Sequence, residues 1–359
     1  MPVQIPENPL GGWLGSVAGM DPVAALERIT YLLDRSLAPS QKAKAFLHAA
    51  DVVRELPEGE LERLHAANKL KTLPGIGDST AAVIAQALDG QVPTRLTELE
   101  ATTVIEPGEG AEIRSLLKGD CHTHSTWSDG GASIETMART AIALGHEYLV
   151  LTDHSPRLTI AHGLTADRLR QQLDEVARLN EELAPFRILT GIEVDILVDG
   201  ALDQDVDLLA QLDVVVASVH SKISMERRAM TERMVMAVAS PHVDILGHCT
   251  GRKLSYPEGK VVRAEATFDA ELVFAACKQF DTAVEINCRP ERQDPPDELL
   301  TLALEWDNKV SIDTDAHAPG QLEFLAYGCD KAARHGIDPS IIVNTWPADD
   351  LLAWTASHA

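Results

Sequence analysis

At 359 residues the chain exceeds one typical domain, so two unequal domains are expected. It is 45% hydrophobic but only 4% aromatic, which predicts an aliphatic core, and its formal net charge of −24 opposes non-specific nucleic-acid binding over most of the surface. No run reaches the roughly 20 apolar residues of a membrane span, Met1-Pro-Val-Gln-Ile-Pro-Glu lacks the basic and apolar regions of a secretion signal, and five cysteines without a CxxC spacing fit a reducing cytoplasm.

Residues 1–21, with Trp13, carry no readable pattern. From Asp21-Pro22, an N-cap followed by proline at the first helical position, residues 22–102 read as a helical domain. Ala24, Leu26, Ile29, Leu32 and Leu33 recur at helical spacing, and a second helix spans about 40–55. Leu70 to Leu88 reads as a helix, a glycine turn at Leu73-Pro-Gly-Ile-Gly77, and a second helix. Residues 103–116, with Pro107-Gly-Glu-Gly110, read as a linker.

From residue 117 the pattern alternates. Apolar, β-branched runs lie near 117–121, 147–152, 187–193, 213–219, 243–248, 282–287 and 309–313. Amphipathic helical stretches separate them near 133–145, 165–184, 203–211, 225–240, 266–280 and 296–307. Seven buried strands separated by helices predict an α/β fold, a parallel barrel rather than a sandwich, over 117–338. A tail with Trp346 and Trp354 follows over 339–359.

Polar residues stand where those runs end: His122, Asp153 and His154, Glu193, His220, His248, Asn287, and Asp313 with Asp315. In a β/α barrel this face carries catalysis. Imidazole nitrogen and carboxylate oxygen suit Zn²⁺, Mn²⁺ or Fe, and the residue types do not choose among them. In His122-x-His124 alternate residues project to one side, so both rings can reach one ion; Asp315-x-His317 supplies two ligands by the same logic. A lone His154 or His248 would read as a structural histidine; the ordered set does not.

The motifs HTHSTWSDG (122–130), TDHS (152–155), GIEVD (191–195), SVHS (218–221), GHCTGR (247–252), EINCRP (285–290) and DTDAH (313–317) resemble the polymerase and histidinol phosphatase (PHP) superfamily of metal-dependent phosphoesterases. The likeness is closest to the PHP module of bacterial family X DNA polymerases. Residues 22–100, with LPGIG at 73–77, are similar to the helix-hairpin-helix domain of those enzymes; their palm and fingers have no counterpart, so polymerase activity is not expected. The resemblance implies a distorted (β/α)7 barrel holding two or three divalent metal ions. His122, His124, Glu193 and Asp315 would hold the first; Glu193 would bridge to a second on His220 and His248; Asp129, His154 and His317 would hold the third. It implies hydrolysis of a phosphate ester by a metal-bridged hydroxide, with His122, His124, Glu193, His220, His248, Asp315 and His317 catalytic.

Position alone suggests Arg252, Arg289 and Lys222 for the substrate phosphate. Asp153 either orients a metal-bound histidine or caps a loop. Cys121, Cys249 and Cys288 read as packing residues, and His162 as a loop residue within possible reach of substrate. In the hairpin, Gly75 and Gly77 would present N–H groups to a DNA phosphate with Lys69 and Lys71 as counter-charge. Asp78 opposes this, and residues 42–71 hold six Lys/Arg against five Asp/Glu, so DNA contact is expected to be weak and local to the hairpin and metal cleft. The leading expectation is a cytoplasmic 3′→5′ exonuclease or 3′-end phosphatase acting in DNA repair. The alternatives are a small-molecule phosphomonoesterase of the histidinol-phosphatase type and a non-catalytic module binding DNA or a polymerase. Oligomeric state is not legible.

Overall fold

A computed structural model describes residues 20–106 and 108–358; the expectations for residues 1–19, Trp13 among them, and for Pro107 lie outside them. Two compact units meet in the chain at Ile105 and Glu106, with Pro319–Gln321 grouped with the first. No helix among the described residues is long and apolar enough to cross a membrane.

The first unit is all helical: Pro22–Arg35, Ser40–Arg54, Glu60–Ala66, Asp78–Leu88 and Thr94–Thr102. Asp21 caps the first helix, its carboxylate accepting from Ala24 N at 2.8 Å. The apolar face legible in the sequence, Leu26, Ile29, Leu32 and Leu33, packs with Phe46, Val83 and Ile84 in one core. One expectation needs correction. The first leg of the hairpin is not a helix from Leu70 but the helix Glu60–Ala66, ended by Asn68 at φ 54°, and then a single 3-10 turn, Leu70–Thr72.

The second unit contains seven parallel strands in the order β1 (Gly119–Thr123), β2 (Tyr148–Leu151), β3 (Arg187–Asp195), β4 (Val214–Ser218), β5 (Ile245–Leu246), β8 (Ala283–Asn287) and β9 (Val310–Asp313). Two short strands, β6 (Lys253–Leu254) and β7 (Val261–Arg263), form a separate antiparallel hairpin that the hydrophobic pattern does not announce. The predicted helix 203–211 is one turn, Val206–Leu209, and the stretch read as a linker holds a short helix, Ala111–Leu116.

The sheet nearly closes. Near the C-terminal ends, Thr123 bridges Ala316, and Cys121 N donates to Asp313 Oδ1 at 2.9 Å. Farther down the seam the tail intervenes: the amide of Asn344 accepts from Ile312 N at 2.7 Å and donates to Ile312 O at 2.9 Å. The same residue's carbonyl accepts from Lys118 N at 2.7 Å. Val343, Leu351 and Trp354 then join Tyr148, Val150, Leu189 and Val216 in a core cluster. The unread tail is therefore part of the barrel.

Before β2, His146 is buried with Nε2 3.2 Å from Arg114. Burial, aided by the Arg114 charge, pushes its pKa down from 6.5 to about 3. The unfolded chain takes up this proton as pH falls below 6.5 and the folded chain does not, so stability is lost on the acid side. Chemical denaturation is expected to show that His146→Gln escapes roughly 2–3 kcal/mol of the wild-type loss between about pH 6.5 and about pH 4.5. Parallel acid profiles for the two proteins would refute this.

Candidate metal centre

The strands deliver their polar residues to one place. His122 lies within β1 and His124 just beyond it; His154 extends β2 and forms a parallel bridge with Glu193 of β3. His220 and His248 each stand two residues past β4 and β5, and Asp315 and His317 follow β9. Asp129 comes from the loop after β1. That loop folds back at Gly130, whose N–H reaches Ser125 O at 2.9 Å and where a Cβ would lie 2.6 Å from the Ser125 backbone.

Glu193, buried, is the hub. Its Oε1 lies 2.8 Å from His248 Nε2 and 3.1 Å from His220 Nε2. Its Oε2 lies 2.9 Å from His154 Nδ1, 3.3 Å from His122 Nε2 and 3.7 Å from His124 Nε2. Around the rim, His124 Nε2 is 3.4 Å from Asp315 Oδ1. Asp129 Oδ1 is 3.3 Å from His317 Nε2 and 3.5 Å from His154 Nε2.

Three groups have the spacing to hold an ion: His122, His124 and Glu193; His154, Glu193 and His220; and His124, Asp129, His154 and His317. All nine residues expected as ligands thus lie together. The partition differs in that His124 and His154 each serve two groups, and His248 joins through Glu193.

Divalent cations fit this donor set. Both oxygens of Glu193, Nε2 of His122 and both ring nitrogens of His124, His220 and His248 are buried without a hydrogen-bond partner. Leaving so many buried polar atoms unpaired costs about 1–3 kcal/mol apiece unless a cation satisfies them. Electrostatics agree. Burial pushes the Glu193 carboxyl up, but the imidazoles of His220, His122 and His154 outweigh it and hold it well below the usual carboxylate range. Burial, with His317 and His154 beside it, holds His124 well below the ordinary imidazole value. Burial pulls His122 and His220 down, but the Glu193 carboxylate outweighs it and holds both above the ordinary imidazole value. Ionised carboxylate and neutral imidazole are the forms that ligate, so a bound cation would displace those two protons.

Glu285, Asp195 and Arg292 escaped the sequence reading, and Asn287 was legible only as a strand-end residue without a role. Glu285, inside β8, accepts from the His122 ring at Nδ1 (2.6 Å) and from His248 N, so it aims His122 Nε2 at Glu193. Asp195 takes the backbone N–H of His220 at 3.0 Å. Arg292 donates Nε to Asp315 Oδ2 at 2.9 Å, and Asn287 Nδ2 reaches the same oxygen at 3.2 Å. These bonds hold Asp315 in a left-handed backbone conformation, φ 51°, a strain typical of functional positions. Glu285 carried a signal: an acidic residue between Val284 and Ile286 in a buried strand needs a partner.

Asp153 caps its loop, accepting from Ser125 N, Ser125 Oγ and Gln172 Nε2 at 2.6–2.8 Å. Cys121, Cys249 and Cys288 are buried, and burial pushes each thiol well up; His162 is exposed. Arg252 spends its guanidinium on the carbonyls of Arg292 and Gln293. Arg289 donates to Asp315 O at 2.7 Å and lies 3.0 Å from His317 Nδ1. Lys222 is exposed two residues past His220. In the first unit, Gly75 takes φ 77°, where a Cβ would strike the His48 ring. Gly77 precedes the helix Asp78–Leu88, Lys69 is exposed, and Lys71 is paired with Asp78 at 2.5 Å.

Residues 120–288 match the PHP domain family and residues 20–92 the helix-hairpin-helix domain family. Residues 20–92 thus form a helix-hairpin-helix domain and residues 120–288 a PHP domain. The DNA polymerase/3'-5' exonuclease PolX of Bacillus subtilis (strain 168) is 40% identical over 238 residues, which cover 66% of this chain and 41% of that protein. The chain thus spans about two fifths of the length of that relative. A protein named probable phosphatase in Thermoanaerobacter sp. (strain X514) is 29% identical over 238 residues, covering 63% of this chain and 89% of that one. A crystal structure of histidinol phosphate phosphatase from Lactococcus lactis, complexed with zinc, L-histidinol and phosphate, aligns at 18% identity and a TM-score of 0.40, over 60% of this chain and 93% of that one.

Proposed function

We propose that the chain is a metal-dependent phosphoesterase acting on DNA ends, as a 3′→5′ exonuclease or 3′-end phosphatase in DNA repair. The observation that carries this is the clustering of Glu193 with eight other candidate ligands, among them buried nitrogens and oxygens that have no hydrogen-bond partner. The helix-hairpin-helix domain and the 40% identity to a relative named for 3'-5' exonuclease activity support DNA over a small ester. Five buried, unpaired cysteines suit a reducing, cytoplasmic setting.

The first ion would sit on His122, His124, Glu193 and Asp315, the second on Glu193, His220 and His248, and the third on Asp129, His154 and His317; Zn²⁺, Mn²⁺ and Fe all suit such ligands. When bound, these ions supply Lewis acidity for activating water and neutralising phosphoryl charge. The chain's own residues do the rest. Glu285 and Asp195 orient His122 and His220, and Arg292 and Asn287 fix the Asp315 carboxylate. The two terminal nitrogens of Arg292 have no protein partner among the described residues, so its planar fork is available to a phosphate. Arg289, with Lys222 at the rim, adds positive charge nearby, whereas Arg252 is better placed to brace the loop.

The test is a Mn²⁺-supplemented time course on a 5′-labelled single-stranded oligonucleotide, with Asp315→Ala alongside. A shortening ladder, or loss of a 3′-phosphate, that disappears in the variant is expected. An intact oligonucleotide under conditions that release phosphate from small monoesters would leave the phosphomonoesterase reading instead. A protein that binds no metal would leave only an accessory module.

A further inference from the structure

The hairpin β6–β7 serves no purpose in the barrel's core. It lies between β5 and β8 in the chain, pairs only with itself, and holds apolar surface in water: Val261 is 70% exposed, Val262 63% and Tyr256 43%. Its charge runs against the rest of the chain. Residues 252–263 carry Arg252, Lys253, Lys260 and Arg263 against Glu258 alone, in a protein of net charge −24.

Two of these cations are structural: Arg252 binds the carbonyls of Arg292 and Gln293, and Arg263 donates to Gly251 O at 2.7 Å. Lys253 and Lys260 are exposed, and neither ammonium has an ion pair or hydrogen bond among the described residues. Lys222, equally exposed and unpaired, belongs to the same sector, because Ile223 lies 3.0 Å from where a Cβ on Gly251 would stand.

The base of the hairpin is tied to the metal centre. Gly251 N donates to His248 O at 2.8 Å, and Leu254 N to Glu291 O at 2.7 Å. Arg252 Nε reaches the carbonyl of Arg292, whose own Nε holds Asp315. Beside it opens a cavity of about 630 Å³ lined in part by Tyr256, Arg252, Pro290 and Tyr327, with room for a nucleobase against the tyrosine ring.

We infer that this hairpin, with Lys222, is a strand guide that holds the sugar-phosphate backbone of single-stranded nucleic acid and leads its end to the metal centre. The inference rests on the DNA-end reading above. Unpaired lysines spaced along an exposed ribbon match a polyanion, and aromatic and aliphatic surface between them suits unstacked bases. Such a guide also reconciles a strongly acidic chain with a polyanionic substrate: attraction is confined to one strip that leads to the cations.

The full-length protein with Lys253→Glu and Lys260→Glu tests it against a matched charge change on another surface, Arg170→Glu with Arg178→Glu on the helix Ala166–Leu183. Each is assayed with Mn²⁺ on a 5′-labelled single-stranded oligonucleotide and on p-nitrophenyl phosphate. The ratio of oligonucleotide to monoester rate is expected to fall about tenfold in the lysine variant only, with the log–log salt slope shallower by about 1.4 for two lost phosphate contacts. An unchanged ratio, or an equal fall in the arginine variant, overturns the guide while leaving the DNA-end reading intact. A change in self-association with the ratio unchanged also overturns it, making the ribbon a contact between copies. Wild-type protein that hydrolyses the monoester but spares the oligonucleotide sinks both readings together.

Discussion

Glu193→Gln is expected to lower phosphoesterase kcat by at least about 10³-fold and to strip the protein of most of its metal. The change is nearly isosteric, so the fold should survive. What disappears is the one anionic charge that five imidazoles share within 2.8–3.7 Å. A neutral amide cannot accept at both of its ends, and its NH2 group would face ring nitrogens that must stay free for cations. Two of the three ion-holding groups include Glu193, whereas the third, around Asp129 and His317, does not. Elemental analysis of purified wild type and variant should therefore show a partial loss of metal, with the residual ion on the outer group. Full metal content with unimpaired turnover would show that Glu193 is a structural carboxylate and not a metal ligand.

The route from sequence to this site was short because a parallel barrel converts strand ends into a single locus. Residues from His122 to His317 lie nearly 200 positions apart, yet His122, His124, Glu193, His220, His248 and Asp315 stand at or within two residues of a strand that the apolar runs had announced, and His154 and His317 within four. The same logic fails for groups that are not at strand ends. Glu285 faces inward from the middle of β8, and Arg292 lies in a loop held by bonds from Arg252. Position near a strand end favoured Arg252 as a phosphate ligand, but a guanidinium is long enough to turn back, and this one braces carbonyls. The hairpin β6–β7 escaped because strands of two and three residues have no period to read. The glycine turn was legible and its first leg was not, since a 3-10 turn and the end of a helix look alike in sequence.

The tail shows the deepest limit of sequence reading, and it yields the largest expected effect on stability. Asn344 sits in a 3-10 turn with no hydrophobic period, yet it is fully buried in the seam between β1 and β9. Its amide pairs both backbone groups of Ile312 and donates to Asp313 Oδ1 at 2.8 Å, standing in for strand bonds that β1 does not make there. Asn344→Leu fills the space but leaves a buried N–H, a buried carbonyl and a carboxylate oxygen short of partners. At about 1–3 kcal/mol for each buried group so stranded, and allowing for some rearrangement, the variant is expected to lose about 3–5 kcal/mol. For a unit of this size, that corresponds to a fall in Tm of about 6–20 °C. The damage should reach the metal centre, because β1 carries His122 and His124 while β9 leads to Asp315 and His317. Loosening the seam separates the ligands on which the first group depends. Calorimetry of the metal-free and metal-loaded forms would separate the two consequences. A lowered Tm in both forms, with a smaller gain on adding Mn²⁺ than in wild type, is the expected pattern. An unchanged Tm would mean that water or a neighbouring strand satisfies Ile312 without the tail, and that the barrel closes by itself.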